Sequence, residues 1–408
     1  MHIVLLTHYF PPEVNAPANR SFEHARVWQE AGYRVTVVTT APSHPRGVVY
    51  PGHANRWTSR EEVQGIEVIR IWTWLAANQG TMGRIISFSS YLLSVLLHLP
   101  VLPRGDVVLA TSPQFFCGLS GWLLRRRSCP WVLEIRDLWP ESIVAVGAMK
   151  RSLPIRLLEA LERWAYVHAD RVVAVTKGFI PHIASRRGRD DIAVVQNGVL
   201  PESLAAAPGA AEAFRAGHGL EGKFCAVYLG THGMAHGLDH VLEAAALLQH
   251  RDDIRILLIG DGAEKDRLAA QREARGLANV LMLPQQPRAA IPAIWGATGA
   301  ALVTLAKSDT FLSVLPSKMF EAMGTARPIV LAVEGEAKAL MDEAGAGLAV
   351  PPEDPAALAA AIAALADDPA RAAALGASGQ RWFAQHADRR KLAMDLLALL
   401  EEAREAAR

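Results

Sequence analysis

The segment FCAVYLGTHGMAHGLDHVLEAAALLQHRDDIRILLIGDGAEKDRL, residues 224–268, decides the fold. Two short apolar runs, 224–230 and 254–260, each end in glycine, and a stretch of helical periodicity lies between them. Two buried strands joined by a helix are typical of a parallel sheet, in which the crossover is right-handed. The segment therefore predicts a β-α-β unit with a glycine loop after each strand.

The same alternation continues in both directions along the chain. Upstream, strands are predicted at 2–7, 34–40, 66–72, 106–111, 131–137 and 171–176, with a first helix at 19–32. Downstream, they are predicted at 280–284, 299–305 and 327–332. This pattern is typical of α/β proteins, and it predicts two doubly wound units, each a parallel sheet with helices on both faces.

The composition places the boundary between the two units. The stretch PESLAAAPGAAEAF, residues 201–214, is rich in proline, alanine and glycine, as linkers often are. We therefore predict a first domain over residues 1–198 and a second over 199–385. The alanine-rich tail is predicted to be helical, and its last part, residues 386–408, is predicted to pack back on the first domain.

Composition and charge restrict the class of protein. Of 408 residues, 51% are hydrophobic and 20% are charged, which is typical of a folded globular chain. The net charge of +1 argues against a nucleic-acid partner, although residues 1–198 hold 22 Lys and Arg against 15 Asp and Glu. Cys117, Cys129 and Cys225 form no disulfide or metal pattern, so a reducing cytoplasm is expected.

One apolar segment, residues 85–103, approaches the length of a membrane span. It contains four serines, His98 and Pro100, so we predict a buried or interfacial helix instead. The basic run Arg125–Arg127 adjoins apolar sequence, which indicates peripheral binding to anionic lipid on the inner face of the cytoplasmic membrane. A solvated basic face is the alternative.

Several motifs that would assign other chemistry are absent from the sequence. There is no Asp-x-Asp pair, which often holds a metal on a sugar nucleotide, and no hydrolase, zincin or P-loop motif. We therefore expect neither a metal nor a cofactor. Glycines remain directly after strands, with Gly230, Thr231 and His236 in one loop and Gly262 in the next. Such loops can present N–H groups to phosphate oxygens, although each also fits a plain tight turn.

The sharpest motif is LPSKMFEAMGTARPIV, residues 315–330. Leu315, Pro316 and Ser317 lead into a helix start, and Lys318 and Glu321 are spaced to share one face of its first turn. A cation there would hold a diphosphate, and the carboxylate would accept hydrogen bonds from the two hydroxyls of a ribose. The alternative is an exposed Lys-Glu pair with a capping serine.

A second group of polar residues follows the predicted strand at 131–137. In EIRDLWPES, residues 134–142, Arg136 and Asp137 stand at the carboxyl end of the strand, where open α/β sheets bind ligands. They are the predicted catalytic residues. The alternative is a structural Arg-Asp pair beside a core tryptophan.

A third group lies in the proline-rich loop YFPPEVNAPANR, residues 9–20, which follows the first strand and opens a helix. Glu13, Asn15, Ala16 and Arg20 are predicted to meet an acceptor or phosphates, and a plain loop with a helix cap fits as well. Single histidines are more often structural than catalytic. Those that could serve as acid or base groups are His8, His44, His232 and His236.

Taken in their order along the chain, the motifs resemble those of glycosyltransferase family 4, the retaining sugar-nucleotide enzymes of GT-B fold. The resemblance covers nearly the whole chain, and it rests on YFPPE, EAGYRVTVVTT, AYVHADRVVAVTKG, QNGV, HGLDHVLEAAA, LIGDGAEKDRL, FEAMGTARPIV and GAGLAVPPEDPAALAAAI. Each motif is common, and the ordered set is specific. RDLWPES and LPSKMFEAM are most similar to a bacterial surface-polysaccharide subgroup that includes L-fucosamine transferases.

The resemblance implies a fold and a set of roles. The fold is GT-B, two Rossmann-like domains that face a central cleft. Glu321 would bind the nucleotide ribose, residues 315–318 would lie at the diphosphate, and Asp137 or Arg136 would lie near the transferred sugar.

The chain also departs from the family pattern. Asn15 and Ala16 replace a pair of glycines, and Ser313 replaces a glutamate eight residues before Glu321. Thr231 and His236 stand where an arginine and a lysine are usual. Either Lys318 or His236 is a candidate replacement for the missing cations.

The predicted function is transfer of an N-acetylated or 6-deoxy hexosamine from a UDP-sugar to a lipid-linked glycan acceptor in surface-polysaccharide biosynthesis. In a retaining GT-B enzyme the leaving diphosphate can take the acceptor proton, so positioning and charge stabilisation suffice and no metal is required. Two alternatives share the fold. One is a UDP-sugar 2-epimerase, and the other is a non-catalytic, nucleotide-binding scaffold.

Overall fold

The computed structural model describes residues 1–13, 15–76, 81–112, 115–141 and 152–408. Val14 and Ser142, which belong to two of the motifs above, lie outside the described residues. The chain divides into unit 1, Met1–Asn197 with Arg389–Arg408, and unit 2, Gly198–Asp388. The predicted boundaries lie at 198 and 385.

Unit 1 is built on one sheet. Its described strands are β1 (His2–Leu6), β2 (Arg34–Thr39), β3 (Thr58–Val63), β4 (Ile66–Ile71), β5 (Val107–Thr111), β6 (Trp131–Ile135), β7 (Arg171–Ala174) and β8 (Ile192–Val194). They are ordered β3-β4-β2-β1-β5-β6-β7-β8, and β3 pairs antiparallel with β4 while the other pairs are parallel. Both faces are covered, since Val4 and Leu6 pack on one side and Ile3 and Leu5 on the other.

The helices of unit 1 cover the sheet. The described helices that precede unit 2 are α1 (Ala16–Glu30), α2 (Thr81–His98), α3 (Phe115–Leu124), α4 (Leu153–His168) and α5 (Ile180–Arg187). α1 begins earlier than predicted because Asn15 caps it, its Oδ1 accepting the Ala18 N–H at 2.8 Å. Pro17 fits the first turn, where no N–H is required.

The apolar segment 85–103 forms most of α2. Its inner side is buried through Tyr91 and Val95, whereas Ile86, Leu93 and Leu97 are about half exposed, at 46%, 53% and 54%. None of the helices in the described ranges is both long and apolar enough to cross a bilayer. The helix therefore has one buried side and one partly exposed apolar side, and its contact with a membrane stays a prediction.

Unit 2 has a six-stranded parallel sheet. Its strands are β9 (Phe224–Leu229), β10 (Ile254–Ile259), β11 (Val280–Leu283), β12 (Ala300–Thr304), β13 (Ile329–Ala332) and β14 (Gly347–Ala349). The order β11-β10-β9-β12-β13-β14 is the doubly wound arrangement in which strand order reverses between β9 and β12. Ligands of such sheets bind outside the carboxyl ends of these two strands.

The helices of unit 2 lie on both faces of its sheet. They are α6 (Ala210–Gly217), α7 (Leu238–Leu247), α8 (Lys265–Ala274), α9 (Ile291–Ala297), α10 (Lys318–Gly324), α11 (Glu336–Ala344), α12 (Pro355–Asp367) and α13 (Pro369–His386). The predicted β-α-β unit at 224–268 is confirmed as β9-α7-β10, followed by α8. The predicted α/β fold with two parallel sheets is confirmed as well.

The last helix, α14 (Arg389–Ala406), belongs to unit 1. It packs on α1, and the indole Nε1 of Trp28 donates to the carbonyl oxygen of Ala393 at 2.7 Å. The two ends of unit 2 are adjacent, because the Val199 N–H donates to the carbonyl oxygen of Ala387 at 3.1 Å.

Candidate functional site

Two glycine loops follow β9 and β10 and are joined through their backbones. The Gly230 N–H donates to the carbonyl oxygen of Ile259, and the His232 N–H donates to that of Asp261, both at 2.9 Å. A Cβ at Gly260 would overlap the carbonyl oxygen of Gly230. Only glycine fits that position, which also has a φ of +154°.

Gly262 also occupies a position that only glycine fits. Its φ is +157°, and a Cβ there would overlap the backbone of His232. Its N–H donates to the Oδ1 of Asp261 at 2.9 Å. The structure therefore gives Gly262 a packing role within the loop, and its predicted contact with a phosphate stays a prediction.

Lys318, the first residue of α10, reaches the loop after β9. Its Nζ lies 3.5 Å from the centre of the Tyr228 ring, and a Cβ on Gly230 would stand 3.2 Å from it. The Nζ is buried and has no hydrogen-bond partner among the described residues. Burial lowers the pKa of Lys318 to about 7, against the opposing effect of Glu321. A buried ammonium group whose N–H donors lack hydrogen-bond partners is suited to hold a phosphate group.

Two histidines stand beside this lysine. His232 is fully buried, and neither its ring nitrogens nor the Nδ1 of His236 has a hydrogen-bond partner in the described ranges. Burial, with positive neighbours adding to it, lowers the pKa of His232 to about 4 and that of His236 to about 3. Both rings are therefore neutral at pH 7. Of the two candidates for the missing cations, Lys318 is the one that can be protonated near pH 7, whereas His236 stays neutral.

Glu321 lies one turn after Lys318 and is held by a tryptophan. The Nε1 of Trp295, on α9, donates to the Oε2 of Glu321 at 3.1 Å. Trp295 is fully buried, whereas Glu321 is half-buried. The indole fixes the direction of the carboxylate at the edge of unit 2. Sequence reasoning missed Trp295, because a buried tryptophan reads as core.

The three residues before Lys318, which were predicted to lie at the diphosphate, differ in their surroundings. Leu315 is buried in the core of unit 2, so only its main chain can meet a ligand. The carbonyl oxygen of Pro316 accepts the Met319 N–H at 3.1 Å. Ser317 precedes the helix, but its side chain forms no cap hydrogen bond. The alternative of a capping serine is therefore not what the structure shows.

Thr231 and Ser313 lie at two positions of departure from the family pattern. The side chain of Thr231 is exposed, and its carbonyl oxygen accepts the Tyr228 hydroxyl at 2.7 Å. Ser313 ends the short 3-10 turn Asp309–Ser313 that precedes the Lys318 motif. Neither side chain can supply the charge of the family residue that it replaces.

Arg20 lies in the interior of unit 1, with 1% of its surface exposed. Its Nε and Nη2 donate to the Oε1 of Glu134 at 3.0 and 2.8 Å. The remaining hydrogen bonds go to the carbonyl oxygens of Val195 and Gln196 and to the Oδ1 of Asn197. These five bonds use every N–H of the guanidinium. The structure corrects the prediction that Arg20 meets an acceptor or a phosphate, because no donor is left for one.

Glu134 completes this buried ion pair. Its Oε2 accepts the Thr111 hydroxyl at 2.8 Å. Burial alone would raise the pKa of the carboxyl, but the Arg20 guanidinium and its hydrogen bonds hold that pKa below the usual value. Glu134 begins the EIRDLWPES motif, and no local sequence pattern identifies Arg20 as its partner.

The first loop and the end of β6 meet through Arg136. Its Nη2 and Nη1 lie 3.4 Å from the carbonyl oxygens of Ala16 and Pro17, respectively. The Arg136 Nε and the Asn15 Nδ2 are buried without a hydrogen-bond partner among the described residues. Burial lowers the pKa of the Arg136 guanidinium below its usual range. Two polar donors are thus available at one edge of the sheet.

Asp137 follows Arg136 and is half-buried. It borders a small, mainly apolar recess together with Trp139 and Tyr166. Burial, with the charge of Asp137 adding to it, raises the pKa of the Tyr166 hydroxyl. Asp137 thus lies just after the carboxyl end of β6, and its predicted contact with a ligand stays a prediction.

The described ranges contain no group of three or more His, Cys, Asp or Glu side chains arranged to hold a metal ion. Cys117, Cys129 and Cys225 are buried and form no disulfide. Burial raises the pKa of all three thiols. None of them is therefore a reactive thiolate at neutral pH.

Models of two protein families match successive parts of the chain. One, described as "Glycosyl transferase 4-like domain", matches residues 16–198, and the other, "Glycosyl transferases group 1", matches residues 211–382. A probable glycosyltransferase, WbjE of Pseudomonas aeruginosa, is 29% identical over 281 residues, 67% of this chain and 69% of its own. A putative colanic acid biosynthesis glycosyl transferase, WcaI of Escherichia coli K12, is 25% identical over 355 residues, 82% of this chain and 84% of its own.

A solved structure gives the same fold. Anabaena Alr3699/HepE in complex with UDP and glucose matches with a TM-score of 0.73 and 18% identity, over 98% of this chain and 99% of that chain. The similarity of this chain to that structure, together with the two parallel-sheet units described above, identifies the fold as GT-B.

Proposed function

Because the chain belongs to the glycosyltransferases, with a glycosyl transferase 4-like domain followed by a group 1 domain, we propose that it transfers a sugar from a UDP-sugar to a lipid-linked glycan. The transfer serves surface-polysaccharide biosynthesis, in O-antigen, capsule or exopolysaccharide. The donor sugar is an N-acetylated or 6-deoxy hexosamine, as in the L-fucosamine transferases. The reaction retains the anomeric configuration and needs no metal.

One observation carries the proposal. The Lys318 Nζ is buried beside Gly230 without a hydrogen-bond partner among the described residues, and Glu321 lies one turn further on. The lysine is placed to neutralise a diphosphate at the carboxyl end of β9. Glu321, directed by Trp295, is placed to accept hydrogen bonds from two ribose hydroxyls. The UDP bound to Anabaena HepE supports this choice of donor, and the names of the relatives WbjE and WcaI support glycosyl transfer.

The proposed mechanism depends on charge and position. As the bond between the sugar and the diphosphate breaks, negative charge grows on the diphosphate, and the Lys318 ammonium stabilises it. The acceptor hydroxyl attacks from the same face, and its proton passes to the leaving diphosphate. Arg136 and Asp137, at the end of β6, orient the incoming hydroxyl or the donor sugar.

The proposal places the protein at an anionic membrane surface. Ile86, Leu93 and Leu97 expose apolar surface on α2, and α3, which packs on α2, leads into the basic run. Arg126 and Arg127 are exposed and can meet lipid phosphates.

Arg125 differs from these two arginines. It forms two hydrogen bonds to the carboxylate of Asp170, at 2.7 and 2.6 Å. Its charge is therefore already paired, and the membrane contact is assigned to Arg126 and Arg127.

A thermal-shift panel of UDP, GDP, ADP and dTDP tests the donor, because a ligand that binds the native state alone raises the melting temperature. We expect a selective shift with UDP. Slow hydrolysis of UDP-sugars, with and without EDTA, would then reveal the transferable sugar, and NMR of the released sugar gives its configuration. A UDP shift without hydrolysis would indicate a scaffold, and mass-neutral conversion of UDP-N-acetylglucosamine would indicate an epimerase. No shift with any nucleotide would contradict the proposal.

A further inference from the structure

His182, on α5, contacts two carboxylates of unit 1. Its Nδ1 lies 2.9 Å from the Oε2 of Glu141, and its Nε2 lies 3.0 Å from the Oε1 of Glu162. Glu141 belongs to the EIRDLWPES motif and lies four residues after Asp137, whereas Glu162 lies on α4. The imidazole therefore links the segment 136–141, which follows β6, to a helix of the same unit.

The two carboxylates differ in their surroundings. The side chain of Glu162 is 1% exposed, accepts the Tyr166 hydroxyl at 2.7 Å and forms an ion pair with Arg186. Burial raises the pKa of the Tyr166 hydroxyl, so this group stays neutral. The side chain of Glu141 is 44% exposed. Glu141 can therefore turn into water when it loses a hydrogen bond, whereas the buried Glu162 cannot.

The number of protons on the ring decides how many of these contacts are hydrogen bonds. A neutral imidazole has one N–H and one acceptor nitrogen, and an imidazolium has two N–H groups. An acceptor nitrogen repels a carboxylate oxygen. In the neutral ring the hydrogen is favoured on Nε2, beside the buried Glu162, and Glu141 is released. Contact between His182 and Glu141 thus depends on a second proton, at Nδ1.

Charged groups from three elements face this ring. Glu141 follows β6, Glu159 and Glu162 lie on α4, and Arg186 lies on α5, one turn after His182. Burial lowers the pKa of His182, and the negative charges of Glu141 and Glu159 oppose this effect. The second proton is therefore present in mildly acidic solution and is lost before the pH reaches the usual histidine range.

The contact with Glu141 matters because of the residues that the segment 136–141 carries. Its first two residues are Arg136 and Asp137, which the proposed function assigns to orienting the incoming hydroxyl or the donor sugar. Trp139 stacks on Phe115, with ring centres 5.2 Å apart. Orienting groups must be held closely, since misplacement by about 1 Å can lower a rate about a hundredfold. A bond at Glu141 holds the segment on the far side of Trp139.

We propose that His182 is a positioning residue that acts through Glu141, and that it holds the segment 136–141 for catalysis in its doubly protonated form. The inference rests on the proposed function, because it relies on the roles of Arg136 and Asp137. The nucleotide-binding residues of unit 2 take no part in it. Protonation adds the bond to Glu141, so the segment is held below the pKa of His182 and released above it.

Two amide substitutions separate the two ring nitrogens. The amide nitrogen of asparagine has the reach of Nδ1, and that of glutamine has the reach of Nε2. His182→Asn can therefore donate to Glu141 at any pH, whereas His182→Gln can donate to Glu162 alone. Glu141→Gln, at a partly exposed position, gives a second route, because its amide donates to Nδ1 of the neutral ring. His168→Asn is the matched control, since His168 is an exposed histidine whose Nδ1 contacts the Trp164 carbonyl of its own helix.

Hydrogen exchange of the peptide 131–141, followed by mass spectrometry at pH 5.5 and pH 8, measures how firmly the segment is held. Exchange times are scaled for the pH dependence of the intrinsic rate. At pH 5.5 we expect equal protection in the wild type, His182→Asn and Glu141→Gln. At pH 8 we expect about tenfold lower protection in the wild type and in His168→Asn than in these two variants. His182→Gln should be poorly protected at both pH values.

Hydrolysis of a UDP-sugar by the same proteins gives the catalytic readout. The kcat should follow the same pattern, with about a tenfold advantage of His182→Asn over the wild type at pH 8 and none at pH 5.5, while KM stays unchanged. The ratio of two proteins at one pH cancels the titration of Lys318, which all of them share. His182→Gln should have the low kcat at both pH values.

Three results would overturn the inference. Equal protection in all proteins would show that His182 does not hold the segment, and equal losses in His182→Asn and His182→Gln would show that the ring only fills space. Protection that changes while kcat does not would show that the hold has no catalytic effect. A UDP thermal shift on every protein tests the proposed function separately. If UDP gives no shift, that function and the catalytic role of His182 both fail, and the exchange data still decide whether the segment is held.

Discussion

The ammonium nitrogen of Lys318 lies 3.5 Å from the centre of the Tyr228 ring. The negative face of the ring attracts the cation, by about 0.5–2 kcal/mol. This attraction is weaker than that of a phosphate, so Tyr228 holds the lysine at the glycine loop without competing for it. The pair explains how a lysine from α10 reaches a loop that follows β9.

UDP affinity is expected to fall as the pH rises above about 7. Burial lowers the pKa of Lys318 to about 7, so the free protein loses the cation in this range and must take up a proton to bind a diphosphate. The affinity then decreases by up to about tenfold per pH unit. Titration calorimetry in two buffers of different ionisation enthalpy measures the proton uptake.

Lys318→Arg is the control for this effect, because an arginine stays charged across the same range. It should bind UDP without proton uptake above pH 7. The titration of UDP itself is common to both proteins. Equal pH dependence in the two proteins would show that Lys318 does not meet the diphosphate.

Glu321→Ala is expected to weaken UDP binding by about tenfold to a hundredfold, because hydrogen bonds to a charged group contribute about 1.5–3 kcal/mol. Binding of pyrophosphate should stay unchanged, since it has no ribose. Trp295→Phe, which keeps an aromatic ring in the core but removes the hydrogen bond to the carboxylate, should give a smaller loss. Calorimetry with both ligands measures these differences, and unchanged UDP affinity in Glu321→Ala would refute the ribose assignment.

Gly260→Ala is expected to destabilise unit 2 severely, because the new Cβ would overlap the Gly230 carbonyl. Gly219→Ala is the matched control. Its φ is +64°, and no atom lies within 4 Å of the added Cβ, so it should cost only the backbone strain of about 1–3 kcal/mol. Thermal unfolding of both variants checks the prediction. Equal melting temperatures would mean that the two loops are not packed as described.

Arg20→Met is expected to cost about 3–5 kcal/mol of stability, because it leaves the buried Glu134 carboxylate without its cation. The double variant Arg20→Met/Glu134→Leu should recover part of this loss. Arg390→Met removes an arginine from an exposed pair with Glu30 and should cost about 1 kcal/mol or less. Urea unfolding compares the three. A small loss in Arg20→Met would return this residue to the list of candidate ligand contacts.

Membrane binding is expected to need both the apolar face of α2 and the basic run. Leu93→Ser/Leu97→Ser and Arg126→Glu/Arg127→Glu should each reduce flotation with vesicles that contain anionic lipid. Leu247→Ser/Leu312→Ser is the control, because these two leucines are exposed to 52% and 41% in unit 2. If all the proteins float to the same extent, the surface is not a membrane contact.

Much of the fold was predictable because its signals are local. The apolar runs of 224–230 and 254–260 and the glycines that end them identify β9, β10 and their crossover without any distant partner. β3, with the sequence TSREEV, was missed because its charges suit an exposed edge strand. Its place in the sheet is decided by pairing with β4, which no local pattern reports.

The candidate site was less predictable, because burial decides what a polar residue does. Arg20 and Lys318 are both single cations near a helix start. Arg20 is paired with Glu134, 114 residues away in sequence, whereas the Lys318 Nζ lies over the ring of Tyr228. His236 looked like an alternative cation, but burial keeps its ring neutral. None of these surroundings can be read from neighbouring residues.

The hydrogen bond between Val199 and Ala387 has a consequence for protein engineering. It brings the first and last residues of unit 2 together, so residues 198–388 form a continuous insert with neighbouring ends. The insert can be excised as one gene fragment, and the flanking segments, 1–197 and 389–408, can be rejoined by a short linker. Nucleotide binding and acceptor binding could then be assigned to separately produced halves.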